Sequence, residues 1–118
     1  MTKTAHLSKE NEIAFIALSN PPMNALSQGV RAGLRKSVEE ALSDNTIKAI
    51  VIHGDGNVFS AGADISEFHL PAIEPHLPDV CDLIEQSEKP VICAIHGFAL
   101  GGAFEIALST HFLSLIHI

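Results

Sequence analysis

Three short apolar runs without polar alternation constrain the fold of this sequence most strongly. They cover Ile13–Leu18, Ile47–Ile52 and Val91–Ile95, and only Lys48 interrupts the second run. A strand that is apolar on both sides is typical of a parallel sheet whose two faces are covered. Helical patterns and glycine-rich turns separate the runs. The order therefore predicts an α/β domain built on a parallel sheet.

The segment after the first run predicts an amphipathic helix. Ser27 is a suitable N-cap, and Asp44–Asn45 is a suitable end. The apolar residues between them share one helical face, and they are Val30, Leu34, Val38, Ala41 and Leu42. A second helix is expected from about Asp79 to the Lys89–Pro90 pair, and a short third helix over residues 103–109.

Composition excludes several functional classes. The 118 residues are 47% hydrophobic and 18% charged, and this balance fits one folded domain and not a disordered chain. A net charge of −7 without basic clusters argues against nucleic acid or an anionic membrane as a partner. No apolar run has transmembrane length, and no secretory signal is visible. The seven histidines lack metal-ligand spacing, so no metal site is expected.

Two loops of small residues follow the second and third strands. These loops are Ser60–Asp64 and Gly97–Gly102. Since parallel strands end at the same sheet edge, we expect the loops to be neighbours. A backbone N–H can reach a ligand only where no side chain obstructs it. The N–H groups of Ala63 and Gly102 are therefore predicted to converge as an oxyanion hole, with Gly102 at the positive end of a helix.

Glu105 is the candidate general acid or base. It follows Gly102 by three residues, which places it one turn into the short helix between apolar neighbours. Burying a carboxylate between apolar residues costs free energy unless the carboxylate is paired, takes part in catalysis or remains in contact with solvent. The spacing leaves two interpretations open. Glu105 is either a solvent-exposed first-turn residue that complements the helix dipole or a proton-transfer residue, and the spacing alone favours the first interpretation.

Three blocks of this sequence resemble one enzyme family. They are Asn20–Leu26, Phe59–Asp64 and Lys89–Glu105, and in this order they resemble the enoyl-CoA hydratase/isomerase (crotonase) superfamily. The resemblance covers about residues 13–111. It is strongest to the N-terminal hydratase/isomerase region of peroxisomal bifunctional enzymes of fatty-acid β-oxidation. The fold that it implies is the N-terminal half of a crotonase-like (ClpP/crotonase) spiral of ββα repeats.

The resemblance also implies roles for individual residues. Ala63 and Gly102 match the oxyanion hole that holds the thioester oxygen of an acyl-CoA substrate, and Glu105 matches the first of two catalytic glutamates. The implied reaction is hydration of a 2-enoyl-CoA, with Δ3-Δ2 isomerisation as a second activity. The implied location is the peroxisome, with the cytoplasm or mitochondrion as alternatives. No cofactor is implied for this region, and NAD would enter only with a following dehydrogenase domain. The implied substrate-binding residues are Ala61, Gly62, Ala63, Asp64, Ile65 and Gly102.

The sequence departs from the family pattern in two places. Gly101-Gly102-Ala103 stands where the family has three glycines, and the second catalytic glutamate would lie further along than residue 118. We therefore expect residues 1–112 to be a partial crotonase domain and residues 113–118 an atypical tail from truncation or a frame shift. Two alternatives stay open: an inactive fragment with weak acyl-CoA or subunit binding, including self-association, and a different acyl-CoA hydrolase or isomerase of this family.

Overall fold

A five-stranded sheet and three α-helices make up the part of the chain, residues 4–115, that the computed structural model describes. The helices are α1 (Gln28–Ser43), α2 (Leu77–Glu85) and α3 (Gly102–Ser109), and a 3-10 turn covers Ile65–Glu67. The strands are β1 (Thr4–Glu10), β2 (Ile13–Ser19), β3 (Ala49–Gly54), β4 (Val91–Ile95) and β5 (Phe112–Leu115).

The strands lie side by side in chain order. β1 and β2 form an antiparallel hairpin, and β2 to β5 are parallel. The predicted parallel α/β arrangement is therefore confirmed for β2, β3 and β4. β1 was not predicted, because its polar residues give it no continuous apolar run; it gains its order by pairing along its whole length with β2.

The core lies between the sheet and the helices. Ile50 and Ile52 of β3 and Val91 and Cys93 of β4 are fully buried. Burial raises the pKa of the Cys93 thiol to about 12, so this cysteine stays protonated and behaves as a small apolar side chain. Within residues 4–115, no helix combines the length and the apolar character needed to cross a membrane.

The α1 helix has the ends that its sequence predicts. Ser27 is the N-cap, and its Oγ accepts a hydrogen bond from the Val30 N–H at 3.4 Å. Asp44 is the C-cap, and its N–H donates to the Glu40 carbonyl. Four of the five predicted core residues are buried: Val30, Leu34, Val38 and Ala41.

The sequence also predicted that both faces of the sheet are covered. The last strand, β5, differs from this expectation. Every residue of β5 is exposed. Apolar side chains of the segment before β5 are exposed as well, and we group all six residues as the α3–β5 surface: Leu100, Phe104, Leu108, Phe112, Leu113 and Leu115. Exposed apolar side chains favour association with other apolar surfaces.

Replacing Lys89 by Met should destabilise the junction between α1 and β4. The Lys89 Nζ donates to the Ala41 carbonyl at 2.7 Å and the Asp44 carbonyl at 2.8 Å, where the helix dipole is negative. We expect the free energy of unfolding to fall by about 1–2 kcal/mol in urea denaturation. The control is Lys36→Met, because the Lys36 side chain is 78% exposed and 4.0 Å from Glu40. Equal losses in the two variants would contradict this role for Lys89.

Candidate active site

The loops that follow β3 and β4 lie side by side at one edge of the sheet. Ser60 and Ala99 form a parallel bridge between them. The Ser60 N–H donates to the Phe98 carbonyl at 3.2 Å, and the Leu100 N–H donates to the Ser60 carbonyl at 3.1 Å. The predicted neighbourhood of the two loops is therefore present.

Gly62 makes the close approach between these loops. Its φ is +95°, a conformation that glycine adopts without strain. A Cβ at this position would lie 2.5 Å from the Leu100 oxygen and 3.5 Å from the Gly102 nitrogen. Gly62 thus brings the residue beside it, Ala63, next to the beginning of α3.

The Ala63 N–H is the unused donor of the first loop. The Ala61 N–H donates to the Met23 carbonyl at 2.9 Å, and the Gly62 N–H donates to the Ser60 Oγ at 3.0 Å. Ala63 is exposed, and within residues 4–115 its N–H has no acceptor. This amide is therefore available to a ligand.

The Gly102 N–H is the corresponding donor of the second loop. Gly102 is the first residue of α3, and Gly101 before it has φ +53° and ψ −121°. The next three amides donate to carbonyls of residues 100 and 101, whereas no acceptor for the Gly102 N–H lies in the described part of the chain. The positive end of the helix dipole adds to the attraction for an anionic oxygen.

Glu105 lies exposed in the first turn of α3. Its carboxylate is also near Cys81 on α2. Burial raises the pKa of that thiol, and the negative charge of Glu105 raises it further. The exposure of Glu105 fits a first-turn residue that complements the helix dipole. It also leaves the carboxylate accessible to a substrate, so both interpretations remain open and the catalytic role stays a prediction.

A cavity of about 300 Å³ lies beside Ala63 and Asp64 of the predicted substrate-binding segment. The Asp64 Oδ1 accepts hydrogen bonds from the N–H and the Oγ of Ser66 and so caps the 3-10 turn, while Ile65 is 76% exposed. Ala63 and Asp64 line the cavity together with Leu26, Arg31, Glu67, Phe68, Leu70, Pro71, Ala72 and Ile73.

Asn24 supports the first loop, a role that sequence reasoning missed. It is fully buried at φ +53°, and its Nδ2 lies 2.8–3.2 Å from the carbonyl oxygens of Asp55, Val58 and Phe59. Its own carbonyl accepts from the Ser60 Oγ at 2.6 Å. The available signal was an asparagine two residues after the Pro21–Pro22 pair, because asparagine tolerates positive φ.

His96 also holds the backbone that leads into the first loop. Its Nε2 lies 2.7 Å from the Gly56 carbonyl, and its backbone carbonyl accepts from the Phe59 N–H at 2.9 Å. Among residues 4–115, no group of three or more His, Cys, Asp or Glu side chains could hold a metal ion.

Replacing Gly62 by Ala should destabilise the protein far more than replacing Gly56 by Ala. Both glycines have positive φ, but a Cβ at Gly56 meets nothing within 4 Å, whereas one at Gly62 meets the Leu100 oxygen. We expect a loss of about 1–2 kcal/mol for Gly56→Ala and about 2–5 kcal/mol for Gly62→Ala in urea denaturation. Equal losses would show that the two loops are not in close contact.

Comparison with known proteins identifies the family of the chain. The family model for enoyl-CoA hydratase/isomerase matches residues 8–115. The chain belongs to this family. Its crotonase fold also matches a solved enoyl-CoA hydratase from Polaromonas sp. JS666 with a TM-score of 0.86 and 30% identity, over 95% of this chain and 48% of that one. The predicted family and fold are thus confirmed.

Two relatives show how much of a longer protein this chain matches. A peroxisomal bifunctional enzyme of Danio rerio is 50% identical over 103 residues, which are 87% of this chain and 14% of that enzyme. A Bacillus subtilis protein named as a probable enoyl-CoA hydratase is 37% identical over 112 residues, 89% of this chain and 43% of the relative. The chain spans less than half the length of each.

Proposed function

We propose that this chain forms the thioester-binding part of an enoyl-CoA hydratase of fatty-acid β-oxidation. The observation that carries the proposal is that the N–H groups of Ala63 and Gly102 have no acceptor within residues 4–115 and lie in loops that Gly62 brings into contact. Two donors on one oxygen stabilise a thioester enolate, each by about 3 kcal/mol in comparable oxyanion holes. The names of the relatives support an enoyl-CoA substrate.

The proposed reaction adds water across the 2,3 double bond of the substrate. The water oxygen bonds to C3, and the electron pair of the double bond moves toward the thioester, whose oxygen becomes negative. Ala63 and Gly102 donate to that oxygen while C2 takes up a proton. Glu105 takes part in the proton transfers, together with a second carboxylate that the family resemblance requires.

The finer parts of the proposal follow the relatives. We propose that the region needs no cofactor of its own, and that it acts in the peroxisome, as the name of the Danio rerio relative indicates. Isomerisation of a Δ3-enoyl-CoA is a second activity of the same enolate site, since it passes through the same charged oxygen. The interpretation of residues 113–118 as an atypical tail stays a proposal: residues 113–115 belong to β5 and to the family match, and residues 116–118 lie outside the described part of the chain.

The test removes one backbone donor at a time. It uses an extended chain, which we define as residues 1–111 followed by the corresponding continuation of the Danio rerio enzyme's hydratase/isomerase region. Lactic acid in place of Ala63 exchanges the N–H for an ester oxygen and keeps the side chain. We expect kcat for hydration of crotonyl-CoA to fall by about 10²–10³-fold. Glycolic acid in place of Gly102 should have a similar effect.

The control is the same ester exchange at Gly56. This glycine is exposed, and there is open space around it, so kcat should stay within about twofold of the unmodified chain. Esters at Ala63 and Gly102 that behave like the ester at Gly56 would refute the oxyanion hole.

A further inference from the structure

The segment from Asp64 to Pro75 carries one wall of the cavity beside Ala63, and its lining residues lie between Asp64 and Ile73. Its regular structure is limited to the 3-10 turn, and it presents four large apolar side chains to solvent: Ile65, Phe68, Leu70 and Ile73. Apolar side chains on such a segment do not fix its position, because few of them are buried. Polar contacts with the beginning of α1 fix it instead.

Arg31 supplies most of these contacts. Its Nε donates to the Pro75 carbonyl at 2.8 Å, and its Nη2 donates to the Ile73 carbonyl at 3.1 Å. Its Nη1 donates to the Leu26 carbonyl at 2.7 Å. One planar guanidinium therefore joins the far end of the cavity wall to Leu26, two residues before α1.

Leu26 connects this guanidinium to the oxyanion donors. The Leu26 N–H donates to the Gly62 carbonyl at 2.8 Å, and Leu26 forms a parallel bridge with Ala63. Arg31 therefore binds Leu26, and Leu26 in turn pairs with Ala63, whose amide is one of the two oxyanion donors. The cavity wall and this amide are fixed to the same short piece of backbone.

Glu67 completes the attachment. Its Oε1 lies 3.4 Å from the Arg31 Nη1, and its Oε2 accepts from the Gln28 N–H at 3.0 Å. α1 has no acidic residue in its first turn, so the Glu67 carboxylate complements the positive end of the helix from outside. The Gln28 Nε2 adds a hydrogen bond to the Glu74 carbonyl at 2.9 Å.

We propose that Arg31 is a positioning residue of the thioester site, which sets the distance between the cavity wall at residues 64–75 and the Ala63 amide. The link to a thioester rests on the proposed function, whereas the attachment itself rests on the contacts above. Arg31 does not serve as a ligand for an anionic substrate group, because its side chain is 16% exposed and each guanidinium nitrogen already donates to the protein.

The first experiment measures how firmly the wall is held in the 118-residue chain. Chymotrypsin cleaves after exposed Phe68, and hydrogen exchange reports the amides of Glu67, Phe68 and Leu70. In Arg31→Met we expect both rates to rise at least about tenfold, since three charge-assisted hydrogen bonds to carbonyls and the ion pair with Glu67 are lost. Arg31→Lys should give an intermediate rise, because one ammonium cannot reach carbonyls in three directions.

The matched control is Arg35→Met. Arg35 lies one turn later on α1, its side chain is exposed, and within residues 4–115 no hydrogen bond or ion pair engages it. This variant should leave both rates unchanged. The attachment is refuted if Arg31→Met and Arg35→Met give the same cleavage and exchange rates. It is also refuted if exchange in Arg31→Met rises as much at the Ile52 amide in β3 as at residues 67–70, because such a rise would indicate general unfolding.

A second measurement tests the link to the thioester. Crotonyl-CoA should slow exchange of the Ala63 amide in the unchanged chain, and Arg31→Met should raise the half-saturating concentration at least about tenfold. An unchanged concentration would overturn the positioning role. If crotonyl-CoA protects Ala63 in neither chain while Phe68 is cleaved faster in Arg31→Met, the proposed function fails and the attachment by Arg31 stands.

Discussion

Replacing Glu105 by Gln in the extended chain is expected to lower kcat for hydration of crotonyl-CoA by about 10²–10⁴-fold. Glutamine keeps the shape of the side chain and removes its ability to accept and return a proton. The half-saturating concentration of substrate should change little, because the proposed donors to the thioester oxygen are the backbone amides of Ala63 and Gly102. The measurement is the loss of enoyl-thioester absorbance at saturating substrate.

Glu85→Gln is the matched control for this variant. Glu85 ends α2, is exposed, and its charge raises the pKa of Cys81 as that of Glu105 does. The two variants therefore remove the same charge near the same thiol. Equal kcat values for Glu105→Gln and Glu85→Gln would leave Glu105 as a first-turn residue that complements the helix dipole.

The elements that could be predicted from the sequence are those that local residues determine. The α1 helix begins at Ser27 and ends at Asp44 because the cap and the apolar spacing lie within the segment itself. The position of the two small-residue loops followed from the parallel arrangement, which puts the ends of β3 and β4 at one edge. The polar strand β1 depends on pairing with β2, and its sequence carries no such local signal.

The supports of the candidate site could not be predicted for the same reason. The Asn24 side chain bonds to the Asp55 carbonyl, 31 residues later, and Arg31 bonds to the Pro75 carbonyl, 44 residues later. Both residues donate to these backbone carbonyls, whose positions no complementary side chain in the sequence reveals. Arg31 in particular fits the polar side of an amphipathic helix, and only the folded chain shows that it anchors a cavity wall.

The second large effect is expected from comparing the 118-residue chain with the extended chain. Hydration by the 118-residue chain should be undetectable, because the proposed mechanism needs a second carboxylate besides Glu105. We also expect this chain to self-associate through the α3–β5 surface, where Phe112 and Leu115 of a parallel edge strand are 63% and 69% exposed. The extended chain should show turnover and a single monodisperse species, measured by crotonyl-CoA absorbance and light scattering.

A charged variant of the short chain separates the two parts of this expectation. Leu108→Lys together with Phe112→Lys places two positive charges on the α3–β5 surface, at side chains that are 65% and 63% exposed. Like charges on facing copies repel, so this variant should be monodisperse and still inactive. If the variant associates as strongly as the unchanged chain, then association does not use this surface. Turnover by the short chain near that of the extended chain would overturn the requirement for a second carboxylate, because Glu105 would then be sufficient for the proton transfers.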